Sequence, residues 1–202
     1  MSVRPRSVFI NCPFDAGYKP LFDAIVFTVS ACNLVVRSAL EVSDAGELRL
    51  AKIVRLIGES RFSIHDISRI ELDQSSSLPR FNMPIELGIA IGAKYLGDAG
   101  ARDHLMLVLD SERYRYQRFA SDLAGLDIAA HANGVDGVVA AVRDFAAAQS
   151  ATPLPGAAAI KVQLATFEAT LPGIATAVGQ KFDELTYTDR MLHLNDFFAS
   201  TR

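Results

Sequence analysis

Two acidic residues stand where a carboxylate could do chemistry. Glu86 lies in NMPIELGIAIGAK, residues 82–94, where Asn82 can cap a helix and Pro84 suits its first turn. A carboxylate there is held ionised by the helix dipole, which suits a nucleophile or charge stabiliser better than an acid. The same placement also serves on any ordinary surface to complement the dipole, and spacing alone does not separate the two readings. Asp66 closes the apolar run FSIHDI and opens a charged stretch containing Arg69, Glu71 and Asp73. Acids at strand ends hold ribose hydroxyls or tune a neighbour, whereas Glu71 and Asp73 read as solvated loop charges. His65 falls on the opposite face by strand alternation and reads as a packed or capping histidine.

A third feature is NCPFD at 11–15, a strand-end turn whose Asn11, Pro13, Phe14 and Asp15 could receive a phosphate or ribose on exposed amides. It lacks the glycines of a dinucleotide fingerprint, and no GxGxxG occurs anywhere in the chain. Gly88, Gly92 and Lys94 sit inside a predicted helix with the wrong spacing for a phosphate loop. Cys12 has no evident cationic neighbour to activate it and reads as a packed thiol. Arg80, Tyr114, Arg115 and Tyr116 could clamp phosphates or stack on a base, and RYRYQR reads equally as an exposed helix face.

The elements that must position these residues follow from periodicity. SVFIN at 7–11 reads as a buried strand, and Leu21, Ile25, Val26 and Val29 give the helix after it. LVVRS at 34–38 is a second strand, and Leu50, Ile53, Val54 and Ile57 form the stripe of a helix over 47–59. FSIHDI is the third strand, and residues 68–82 form a long loop. A third helix runs to about Lys94 and HLMLVLD at 104–110 is a fourth strand. Arg113–Leu123 then reads as a helix, 126–130 as a weak strand and 135–149 as a further helix. This alternation predicts an α/β fold: a doubly wound, flavodoxin-like, five-stranded parallel sheet with a C-terminal helical extension. Ligands of such sheets bind at the strands' carboxyl ends. Those ends supply Asn11 to Asp15, Glu41, Asp66, Ser68 and Arg69, with Arg80, Asn82 and Met83 leading into Glu86. The prolines of SATPLPG at 150–156 divide a domain at 1–150 from an extension at 151–202. The apolar stripes of that extension predict a homo-oligomer or a docked partner.

With 202 residues, half of them apolar, the chain can bury a core without disulfides or a structural metal. A net charge of −3 with signs interspersed argues against nucleic acid as a partner. Cys12 and Cys32 fit neither a disulfide framework nor a zinc cluster, and the short apolar runs fit neither a signal peptide nor a membrane span, so a cytoplasmic protein without a metal is expected.

The pieces VFINCPF, SIHDIS and NMPIELGIAIGAK, spread over about the first 110 residues, resemble nucleoside 2-deoxyribosyltransferase-like proteins and their relatives, the TIR-like NAD-cleaving domains. The resemblance implies that Glu86 is the catalytic carboxylate, since the matching glutamate attacks the anomeric carbon in the transferases and supports nicotinamide loss in the TIR enzymes. The transferases carry Asp-x-Gly-Thr before that glutamate, and Arg80-Phe81-Asn82-Met83-Pro84 stands there instead. Nicotinamide leaves without a proton, so one carboxylate suffices; an ordinary nucleoside base needs an acid as well, which would be Asp15 or Asp66. The expected function is cleavage of the N-glycosidic bond of NAD or a related nucleoside or nucleotide, with that molecule as substrate and no other cofactor. The alternative is a non-catalytic nucleotide-sensing or oligomerising module.

Overall fold

The computed structural model describes residues 6–41, 44–72 and 77–201. Five strands, β1 (Ser7–Asn11), β2 (Val35–Ser38), β3 (Phe62–Asp66), β4 (Leu105–Asp110) and β5 (Ala129–Ala130), form one parallel sheet in the order β2-β1-β3-β4-β5. Val8 pairs with Val36 on one side and Phe62 on the other, and Asp66 pairs with Leu109. This is the doubly wound, flavodoxin-like order, with its switch point between β1 and β3.

Strand alternation sends Val8, Ile10, Phe62 and Ile64 to one face and Phe9 to the other. The first face carries α1 (Lys19–Ala31) and α5 (Val135–Ala148). The second carries α2 (Arg49–Glu59) and α3 (Asn82–Leu96), followed by the short α4 (Ala99–Arg102). Helix α2 is turned relative to its predicted stripe: Ile53, Leu56 and Ile57 are buried, while Leu50 and Val54 face outward. Between β4 and β5 the predicted helix over Arg113–Leu123 is replaced by two 3-10 turns, Arg115–Arg118 and Ser121–Leu123. Tyr114 enters that segment with φ of 64°, a left-handed conformation that an α-helix cannot continue through.

Helices α6 (Ala157–Ala177) and α7 (Tyr187–Ser200) close over α1, and α6 also packs on α5. Ile160, Phe167, Leu171, Leu194 and Phe198 join the same core cluster as β1 and α1. The stripes that predicted self-association are therefore covered within the chain. This second layer explains why α1, KPLFDAIVFTVSA, is apolar nearly all round: ten of its residues are buried. Among the described residues no helix is long and apolar enough to cross a membrane.

Candidate functional site

The site lies where β1 and β3 exit the sheet and their helices leave to opposite faces. The β1 exit is tied down first. The Tyr18 backbone N–H donates to Asp15 Oδ1 at 3.0 Å, capping the approach to α1, and Arg80 Nη1 pairs with Asp15 Oδ2 at 3.1 Å. This contact pulls the long loop after β3 down onto the turn after β1. Arg69 lies close by: a Cβ at Gly17 would stand 3.3 Å from Asp15 Oδ1, a tight approach, and 3.8 Å from Arg69 Nη2, an ordinary contact. Residues 73–76 of that loop, with Asp73 and part of the serine run, lie outside the described residues.

Asp66 is completely buried and its oxygens are held from several sides. The Tyr18 hydroxyl donates to Oδ2 and the Ser68 backbone N–H donates to Oδ1 at 2.8 Å. His131, just beyond β5, places Nε2 3.1 Å from Oδ2 without hydrogen-bond alignment. The Asn133 N–H donates to His131 Nδ1 at 3.0 Å, which leaves the ring hydrogen on Nε2, facing Asp66. The backbone holds this ring firmly: Ala132 and Asn133 take φ of 51° and 55°, and a Cβ at Gly137 would approach the His131 carbonyl oxygen to 2.6 Å. Held in this way, Asp66 exposes no oxygen to the crevice directly.

Glu86 is the opposite case. It sits in the second turn of α3, not the first, because Phe81 takes the capping position and Asn82 becomes the first helical residue without capping by its side chain. Its side chain is largely buried and makes no hydrogen bond among the described residues. Burial pushes its carboxyl up to about 7, with the Arg49 charge pulling weakly the other way. The dipole therefore does not keep Glu86 ionised as expected; desolvation wins one turn into the helix, where the dipole has faded. Near neutral pH both protonation states are populated.

Cys12 links the two carboxyls. Its buried thiol is pushed up by desolvation and then by the charges of Asp66, Glu86 and Asp15, so all three acids gather round the β1 exit. A thiol so disfavoured as thiolate is a packed group and not a nucleophile.

Asn11 is oriented by a hydrogen-bond chain under the sheet. His104 Nδ1 faces the Ser60 carbonyl at 3.0 Å and must carry hydrogen, so Nε2 accepts from the Ser63 hydroxyl at 2.7 Å. Ser63 Oγ then accepts from His65 Nε2 at 2.8 Å, which leaves His65 Nδ1 to accept from the Asn11 amide at 3.0 Å. The second amide hydrogen goes to the Met83 carbonyl at 3.0 Å. Both Asn11 donors are thus committed and the chain has a single polarity. Burial, then the neighbouring His104 ring, pushes His65 down to about 3, so it stays neutral in that role.

Of the remaining predicted residues, Pro13 is buried in the β1 turn and Phe14 is exposed at its mouth. Glu41 folds back on Arg37 at 2.7 Å and accepts the Ser38 N–H, so it is engaged at the β2 end. Arg115 does not reach the crevice. It ties Asp110 Oδ1 at 2.6 Å to the Ser68 carbonyl at 3.1 Å and to Glu71 at 2.8 Å. Burial holds the Asp110 carboxyl above its ordinary value despite that pairing. Tyr18 and His131 were missed by sequence reasoning. For His131 the only local signal is the HANG turn after a weak strand. Among the described residues no group of three or more His, Cys, Asp or Glu could hold a metal.

No protein-family model matches the chain, and no curated protein is significantly similar to it.

Proposed function

We propose that this protein cleaves the N-glycosidic bond of NAD or a related nucleotide, with Glu86 as the working carboxyl. The observation that carries the reading is a buried, unpartnered carboxyl raised to about 7 beside the switch point of a doubly wound sheet. Cleavage of a C–N glycosidic bond passes through an oxocarbenium-like state, and an adjacent ionised carboxylate in a desolvated setting stabilises it strongly. Arg49 acts electrostatically on Glu86, and Arg69 and Arg80 lie at the Asp15 turn, so cationic side chains from separate segments stand near the β1 exit where phosphate oxygens would be received.

The step balances with water as the only co-reactant. The bond from the anomeric carbon to the ring nitrogen breaks and the base keeps the electron pair. Water adds to the anomeric carbon, and its proton passes to the Glu86 carboxylate and on to solvent. Asp66 is sealed and Asp15 is tied to Arg80, which favours a base that departs without protonation, as nicotinamide does. The test is incubation of the protein with NAD and a panel of nucleosides and nucleotides, following free base by chromatography beside Glu86→Gln. Base release that the variant loses supports the reading. Silence from both alongside measurable nucleotide binding replaces it with a sensing module.

A further inference from the structure

A cavity of about 210 Å³ lies between α1, α6 and the start of α7, and neither Glu86 nor Asp66 lines it. Its walls include Phe14, Phe22, Leu40, Tyr187 and Met191. Phe14 stands edge-on to Phe22 with ring centroids 5.4 Å apart, and Phe22 meets Tyr187 at 6.0 Å. The charges at the rim already neutralise one another: Asp23 pairs with Lys19 and Arg190, and Arg190 also reaches Glu168. Such a lining offers little to a phosphate and a good fit to a flat apolar ring. Its size lies below the roughly 300 Å³ at which drug-sized pockets begin, so it suits one ring or a fused pair and not a whole dinucleotide.

The cavity adjoins the crevice. Phe14 and Asp15 belong to the turn after β1, and Leu40 to the turn after β2. Asp15, which lines the cavity, also pairs with Arg80 at 3.1 Å across the β1 turn, and burial pushes the Tyr187 phenol up. The Tyr187 hydroxyl makes no hydrogen bond among the described residues and is a single polar handle in an apolar setting.

We infer that this cavity seats the uncharged aromatic base of the ligand, the group released on cleavage, with Phe14 and Tyr187 flanking the ring and the Tyr187 hydroxyl meeting a polar ring substituent. The inference rests on the glycosidic-cleavage reading and adds to it: the C-terminal helices build the base subsite that the α/β domain lacks by itself.

The experiment is calorimetric titration of the full chain with nicotinamide and, separately, adenine, in the wild type, Glu86→Gln, Met191→Trp and Phe14→Ala. The expected result is binding of one base equally by wild type and Glu86→Gln, weakened at least about tenfold by Met191→Trp, which fills the cavity, and about fivefold by Phe14→Ala. Phe14 is on an exposed turn, so its variant keeps the test valid should Met191→Trp not fold. Failure of both bases to bind the wild type, or unchanged binding in both pocket variants, overturns the inference. Base release separates the two readings. Release that requires Glu86 but survives in the pocket variants overturns the subsite alone, whereas pocket-dependent base binding without any release leaves the subsite standing and removes the cleavage reading.

Discussion

The exit of β3 and the second turn of α3 each present a buried carboxyl to one crevice, yet the two are built differently. At the β3 exit, Asp66 is enclosed by the Tyr18 hydroxyl, the Ser68 amide and the His131 ring. In α3, Glu86 is desolvated with no hydrogen-bonding partner among the described residues, and its carboxyl stands at about 7. A buried group held by several hydrogen bonds is fixed in place, whereas a desolvated carboxyl without a protein partner keeps a shifted protonation equilibrium. Asp66 accordingly holds the floor of the crevice, and Glu86 is the group free to change its protonation.

The largest expected effect breaks the hydrogen-bonded side. Asp66→Ala orphans the Tyr18 hydroxyl and the Ser68 amide, both buried, and should destabilise the protein by about 4 kcal/mol in denaturant unfolding. Glu86→Gln should do the reverse. A carboxyl raised from 4.5 to about 7 binds its proton more tightly in the folded state, so its favourable contribution is complete below pH 4.5 and is lost as pH rises through about 7. The variant, neutral throughout, should therefore gain about 3 kcal/mol over wild type at pH 8 and nothing at pH 4.5. A constant difference across that range would show that Glu86 is not desolvated.

Gly137→Ala sharpens the His131 side of the comparison. The new methyl would meet the His131 carbonyl oxygen at 2.6 Å, which must shift the backbone carrying the ring. A loss of about 2 kcal/mol is expected, together with a displaced His131 side-chain resonance in NMR spectra. The effect that is smallest at neutral pH, and grows only in acid, belongs to the chain beneath Asn11. His65, lowered from 6.5 to about 3, favours the folded state above pH 6.5, and that contribution fades by about 1.4 kcal/mol per unit as pH falls toward 3. His65→Gln should flatten this part of the acid-unfolding curve.

Much of this architecture is legible in the sequence. SVFIN and FSIHD are short, apolar and bounded by turn residues, so β1 and β3 fall where periodicity places them. The Pro84 helix start likewise puts Glu86 beside the crevice. Several features depend on contacts that no local pattern encodes. His131 meets Asp66 from two strands away, and its position rests on two left-handed residues and Gly137. The protonation of Glu86 follows from burial by the surrounding fold, and helix position alone predicts the wrong direction. The Arg113–Leu123 segment has helical spacing but is interrupted by the left-handed Tyr114. The C-terminal stripes resembled a docking face because their cover, α1, lies more than a hundred positions earlier in the chain; its all-round apolar composition was the available sign that a further layer packs on it.

The most direct test of the central claim is the rate of base release from NAD as a function of pH, in the wild type and Glu86→Gln. A carboxylate that works in its ionised form and stands at about 7 predicts a rate rising between about pH 6 and pH 8 and level above, with loss of at least about a hundredfold in the variant. Release that is independent of pH across that range, or undiminished in Glu86→Gln, would contradict it.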